Sequence, residues 1–248
     1  MTELPAKPRK QEQEPATDQI TEVAPNVLRS ELPIQLPGLG HVNMYLLEDE
    51  RGVAVVDPGL PEKASYAAVA ARLKAAGYPL SRVHTIVITH SHHDHYGGAA
   101  WLQEQAGGDA RIITHRDFRM MWEPIEAPDI DVEDFAEIAG EATLDGQDQG
   151  LQPERRYPWD PPPWGGPAWK MPLKRRLMFH AVRRFPVLAR RLPRPTHRLD
   201  EAQTIRLARR EWTAIHTPGH TNDHLCLFDP EEGCMLCGDH VLPTITPH

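Results

Sequence analysis

The chain has 248 residues, with 27 Lys and Arg against 35 Asp and Glu, a formal net charge of −8 and three Cys. This length suits one α/β domain with a substantial core, and the acidic balance does not favour a polyanion as partner. Three Cys in a chain this long do not suggest a disulfide framework, the first 20 residues hold no apolar signal-peptide core, and no run reaches the length of a membrane span, so a cytoplasmic location is expected.

Residues 1–22 are polar and read as a disordered tail ahead of one domain spanning 23–248. Val27 to Leu36, Val42 to Leu47 and Val53 to Val56 read as strands of a meander. Asp57-Pro58-Gly59 is a strand stop and turn that by itself needs no function. Pro61 to Ala76 is Ala-rich at helical spacing, starts at a Pro and stops before Gly77, so it predicts a helix over one sheet face. Val83 to Ile88 is β-branched and apolar enough for a buried strand, and Gly97 to Leu102 reads as a turn entering a helix. Residues 111–113 give another short strand, and His115 to Trp122 reads as the beginning of a helix, with His115 a helix-start residue rather than a ligand.

Residues 118–200 change character and read as a helical and Pro-rich insertion or lid. Glu123 to Asp148 holds ten carboxylates and no Lys or Arg, whereas 170–199 holds ten Lys or Arg and no carboxylate. Leu173, Leu177, Met178, Ala181, Val182 and Phe185 form an apolar stripe, so the basic block reads as an amphipathic lid helix whose charges face the acidic block. Tyr157 to Trp169 is too rich in Pro for a helix or sheet interior; its Trp residues suit a substrate wall or a strap over the core. Beyond it, Glu211 to His216 reads as an apolar strand, and Cys234 to Cys237 lies in another that ends at Gly238-Asp239. Cys234 and Cys237 fall on opposite faces, which favours buried strand cysteines over a redox or zinc pair.

The chemistry is concentrated in Thr89-His90-Ser91-His92-His93-Asp94-His95, on the loop after the Val83 to Ile88 strand. In extended backbone His90 and His92 share a face and can hold one cation, while Ser91 and His93 point away. Asp94 and His95 lie where the loop turns and can address a second. Imidazole and carboxylate without Cys point to an open, catalytic metal site rather than a structural zinc finger. Two further pieces follow: Thr217-Pro218-Gly219-His220 after one strand and Gly238-Asp239 after another. His41, His84, His180 and His197 have no partner spacing and read as surface or packing residues. His216 and His224 flank the third piece and could hold ligands by hydrogen bonds.

These motifs resemble the metallo-β-lactamase superfamily, whose members carry T-H-x-H-x-D-H, T-P-G-H and G-D on successive loops of a four-layer αβ/βα sandwich, an α/β fold. The resemblance implies that His90, His92 and His220 bind one divalent ion, that Asp94 and His95 bind another, and that Asp239 bridges them, with Asp57 orienting the site. Zinc is the expected metal, with iron or manganese also admissible. Asp239 stands where true β-lactamases of this kind carry Cys or Ser, which argues against antibiotic hydrolysis. T-P-G-H-T with G-D is similar to the glyoxalase II (hydroxyacylglutathione hydrolase) group, and Asn222-Asp223-His224 resembles a lactamase-like endoribonuclease branch.

Family members continue past G-D to a last His, whereas the sequence stops at His248, nine residues after Asp239. The expectation is a sandwich lacking its last strand and helix, an exposed sheet edge, poor solubility and a weakened second site. The expected function is metal-dependent hydrolysis of an ester-like bond in a small molecule, with a thioester of the acylglutathione type favoured and Asp94 both ligating and orienting the attacking water. The alternatives are phosphodiester cleavage of single-stranded RNA held by the 170–199 block, and an inactive metal-binding fragment.

Overall fold

The computed structural model describes residues 13–36, 39–120 and 192–241, with isolated positions between 173 and 181. The acidic block, the Pro/Trp strap and more than half of the basic block lie outside the described residues. The chain divides into two compact units, Met1–Phe118 with Ala189–His248, and Arg119–Leu188; the first carries the sheets and motifs.

Among the described residues of that unit there are eleven strands: β1 Ile20–Ala24, β2 Val27–Leu36, β3 Leu39–Asp49, β4 Gly52–Val56, β5 Val83–Val87, β6 Arg111–His115, β7 His197–Leu199, β8 Thr204–Leu207, β9 Arg210–His216, β10 Leu225–Asp229 and β11 Cys234–Leu236. Three α-helices accompany them: α1 Lys63–Ala75, α2 His93–Tyr96 and α3 Ala99–Gln105. None of the described helices is long and apolar enough to cross a membrane.

Two sheets face each other. The first runs β1 to β7 in chain order, the second β11-β10-β9-β8. Strands β1 to β4 pair antiparallel, β4 to β7 pair parallel, and the second sheet is antiparallel throughout. The alternation of β4 explains the layering. Ala54 and Val56 join the core between the sheets, which leaves Val53 and Val55, equally buried, for the opposite face. Helix α1 lies against β2 and α3 against β5 and β6, on that outer side. Val69 and Leu73 of α1, one turn apart, and Leu102 of α3 are fully buried. The inter-sheet core joins Val27, Leu47, Val87 and Ile113 of the first sheet to Leu207, Trp212, Leu225 and Leu227 of the second. Trp212 is completely enclosed and donates its indole N–H to the Leu207 carbonyl at 3.0 Å.

One polar clamp spans the same interior. Arg210, at the start of β9, pairs with the fully buried Asp229 at 2.5 Å and also donates to the Pro25 carbonyl between β1 and β2. Its guanidinium lies over the Trp212 ring, 5.5 Å from the centroid.

Several sequence expectations are corrected. Residues 20–22 are not tail but part of β1, paired with Leu28 to Ser30. The preceding segment is also tied down, because Arg72 of α1 donates to the Thr17 carbonyl and pairs with Asp18, both at 2.8 Å. His197–Leu199, inside the stretch read as insertion, is the seventh strand of the first sheet; three residues paired only to β6 carry too little pattern to be seen. His115 ends β6 instead of starting a helix, because β6 runs on beside β7 and Arg116 N–H continues the ladder to the Leu199 carbonyl. Of the cysteines only Cys226 is buried; Cys234 and Cys237 are half-buried because β11 is the end strand of its sheet, where Met235 stands exposed.

Candidate metal centre

Because β4 and β5 are parallel neighbours, their carboxyl ends lie together, and the loops leaving them meet. Asp57 follows β4 in a left-handed conformation, φ 55°, with its N–H bonded to the Val87 carbonyl of β5. The motif loop passes close to it. A Cβ on Gly97 or Gly98 would run into Pro61 or the Pro58 carbonyl, so the Gly pair permits the contact between the loop after β4 and the α2–α3 junction.

The motif itself divides as its spacing implies. His92 is extended, whereas Asp94 and His95 fall in the single turn of α2. The His90 Nε2 and His92 Nδ1 atoms are 3.1 Å apart, and His220 Nε2 is 2.9 Å from the same His92 Nδ1. One imidazole nitrogen has a single lone pair or a single proton, so it cannot satisfy two facing nitrogens by hydrogen bonding. Three nitrogens aimed at a common point are instead the arrangement that a cation satisfies: ligands at 2.0–2.1 Å in a tetrahedron stand about 3.4 Å apart. His90, His92, His220 and Asp239 offer donor atoms that all lie within 4.8 Å of one another.

Asp239 spans this group and the next. Its Oδ2 is 3.5 Å from His220 Nε2, and its Oδ1 is 3.4 Å from His95 Nε2. Asp94 Oδ2 lies 3.7 Å from that same His95 nitrogen, which is buried and has no hydrogen-bond partner. All six residues singled out in the sequence therefore lie together, His90, His92 and His220 on one side of Asp239 and Asp94 and His95 on the other.

Asp57 anchors both sides. Its Oδ1 accepts the Thr89 N–H at 2.9 Å, and its Oδ2 accepts both the Thr89 hydroxyl at 2.7 Å and His95 Nδ1–H at 2.8 Å. With its proton committed to Asp57, Thr89 Oγ1 accepts His90 Nδ1–H at 3.0 Å. Both rings are thereby fixed in the tautomer that leaves Nε2 free, the role of a carboxylate behind a ligating His. Thr89 is the first residue of the sequence motif, which by itself gives it no role.

The electrostatics agree for His90 and His92. Burial, reinforced by the neighbouring imidazoles His95 and His92, holds His90 far below the ordinary imidazole range, and burial with His220 pushes His92 down to about 4. Both therefore present lone pairs at neutral pH. Burial opposes charge on His95, yet Asp57 and Asp239 beside it hold its pKa well above the ordinary value. Burial likewise opposes charge on Asp239, but His95 and the other imidazoles around it keep its carboxyl below the usual range.

His224 is fully buried and lies over the His90 ring at 5.0 Å between centroids, with Nδ1 paired to Thr217 Oγ1 at 2.9 Å. His115, Asp117 and His216 also cluster. However, the His115 and His216 rings stack at 3.9 Å and 11°. Lone pairs lie in the ring plane, so nearly parallel rings aim theirs side by side rather than at one ion. His216 Nε2–H is spent on the Asn222 carbonyl at 2.7 Å. This pair is a stacked joint between β6 and β9.

Comparison with known proteins agrees with the fold and the motifs. Residues 37–248 match the family model of the metallo-beta-lactamase superfamily, and the chain belongs to that superfamily. A metallo-beta-lactamase family protein from Thermus thermophilus superposes with a TM-score of 0.59 and 26% identity, covering 91% of this chain and 63% of its own. A hydroxyacylglutathione hydrolase of Pseudomonas paraeruginosa is 38% identical over 103 residues, 40% of this chain and 34% of that enzyme. An atrochrysone carboxyl ACP thioesterase of Aspergillus fumigatus is 43% identical over 44 residues, 18% of this chain and 10% of that enzyme. The chain thus spans about a third or less of these curated relatives.

Proposed function

We propose that this protein is a metal-dependent hydrolase of ester-like bonds, with thioesters as the favoured substrate class. The observation that carries the reading is the convergence of His90 Nε2, His92 Nδ1 and His220 Nε2, with the Asp239 carboxylate reaching from that group to His95. His90, His92 and His220 would hold one divalent ion, zinc by donor type, and Asp94 and His95 a second, with Asp239 shared. Ions held there supply Lewis acidity and make water acidic enough to attack near neutral pH. Asp94 orients the attacking water by accepting its hydrogen bond, and Asp57 keeps His90 and His95 in register through Thr89 Oγ1 and directly. No nucleophilic side chain is required.

The thioester preference draws on two relatives. One is named a hydroxyacylglutathione hydrolase and the other an atrochrysone carboxyl ACP thioesterase, and both are similar to this chain over only part of their length. Asp239 in the bridging position is the residue that joins this chain to that side of the superfamily rather than to antibiotic hydrolysis.

The test is metal analysis together with turnover of an acylglutathione thioester, an oxygen ester and a short single-stranded RNA by zinc-loaded protein. About two zinc ions per chain and thioester turnover abolished by His90→Ala with His92→Ala are expected. RNA cleavage without thioester turnover would overturn the substrate class, and a chain that takes up no zinc would overturn the mechanism.

A further inference from the structure

The two loops that carry the first ion's ligands come from different sheets. Residues 88–92 leave β5 in the first sheet, and residues 217–224 join β9 to β10 in the second. Besides the facing imidazoles, Leu225 N–H, at the start of β10, donates to the Thr89 carbonyl at 2.8 Å, and Ser91 Oγ–H joins the two loops by donating to Asp223 Oδ1 at 2.9 Å. The Ser91–Asp223 bond is formed by side chains alone. Ser91 sits between His90 and His92, and Asp223 follows His220 by three positions.

Asp223 is costly to keep where it is. Its relative exposure is 4%, and burial raises its carboxyl above the usual range. The Thr221 and Ser91 hydroxyls both oppose that rise, and the Ser91 bond is the one with full hydrogen-bond geometry. Asp223 is not one of the converging donors, so it does not serve as a ligand there. A buried carboxyl whose one side-chain bond of full geometry reaches across to the opposite ligand loop is a device for setting the distance between loops.

We infer that Asp223 is a positioning residue: by holding Ser91 it sets the spacing between the His90/His92 pair and His220. The inference rests on the proposed metal centre. If the Asp223–Ser91 bond is lost, the His92 to His220 approach of 2.9 Å is left to one backbone hydrogen bond and the ion itself.

The test is zinc affinity by competition with a chromophoric chelator, measured on the full chain, for wild type, Asp223→Ala, Asp223→Asn, Ser91→Ala and the Ser91→Ala with Asp223→Ala double variant. Asp223→Ala and Ser91→Ala should each weaken zinc roughly 10- to 100-fold, the range for groups that orient ligands. Asp223→Asn, which keeps the Oδ1 acceptor, should stay within about threefold of wild type, and the double variant should lose no more than the worse single one, because both remove the same bond. Ser91→Ala, a small truncation outside the core, decides the matter if Asp223→Ala does not fold. Wild-type affinity in Ser91→Ala, or losses that add in the double variant, would overturn the positioning role and leave the metal centre standing. No zinc uptake by wild type would overturn the centre itself, and this role with it.

Discussion

Asp57 receives His95 Nδ1–H at 2.8 Å on the same oxygen, Oδ2, that takes the Thr89 hydroxyl. One carboxylate oxygen thus reaches proposed ligands on both sides of Asp239. Asp57→Asn keeps the shape and tolerates the left-handed backbone, φ 55°, but it replaces an anion with a neutral amide. Zinc affinity should fall roughly 10- to 100-fold, the second equivalent more than the first. Chelator titration of both equivalents checks this, and equal affinity in the variant would contradict it.

Gly238 sets the approach of Asp239. Its φ is 46°, and an added Cβ would stand 2.8 Å from Thr89 Oγ1 and 3.0 Å from His224 Nε2. Gly238→Ala should therefore cost about 1–3 kcal/mol in backbone strain and push Asp239 away from His95 and His220. The expected result is a lower melting temperature together with at least tenfold lower turnover, and a variant with unchanged zinc stoichiometry and turnover would refute it.

Trp212 fills the centre of the sandwich. Trp212→Ala should destabilise the protein by about 3–5 kcal/mol. Trp212→Phe should cost less, about 1–3 kcal/mol, chiefly by stranding the Leu207 carbonyl. Urea denaturation gives both numbers.

Burial holds His115 below the ordinary imidazole value of 6.5, and stacked His216 adds to the effect. An unfolded His115 takes up a proton near that value while the folded one refuses it. The contribution of His115 to stability is therefore present above about 6.5 and is lost as pH falls below it. His115→Phe keeps a ring on His216 and removes the titration. Denaturation of metal-stripped protein at neutral and mildly acid pH should show a shallower acid loss in the variant than in wild type.

The six site residues were legible because each stands in a short pattern that ends a strand: T-H-S-H-H-D-H after β5, T-P-G-H after β9, G-D after β11. Strands β2 to β6 were legible for the same reason, as runs of β-branched and apolar residues. Strand β7 was not, since His197-Arg198-Leu199 has one buried side chain and gains its identity only from β6 beside it. The Ser91–Asp223 bond joins positions 132 apart, a relation that no local pattern carries. Asp57 stood open between strand stop and orienting group, and its three hydrogen bonds to Thr89 and His95 support the latter.

The clamp of Arg210 on Asp229 and Pro25 stands at the start of β9, the end of that strand away from His216 and His220. The sandwich is therefore bound like a book. At the spine Arg210, held by its buried ion pair with Asp229 inside the second sheet, joins that sheet to the first through the Pro25 carbonyl, out of reach of a chelator; at the fore-edge the sheets are joined by His92 against His220, Asp239 against His95, and two hydrogen bonds. Stripping the metal should slacken the fore-edge and leave the spine shut, so that amides around Thr89 and Leu225 exchange faster with solvent while those around Arg210 and Asp229 keep their protection.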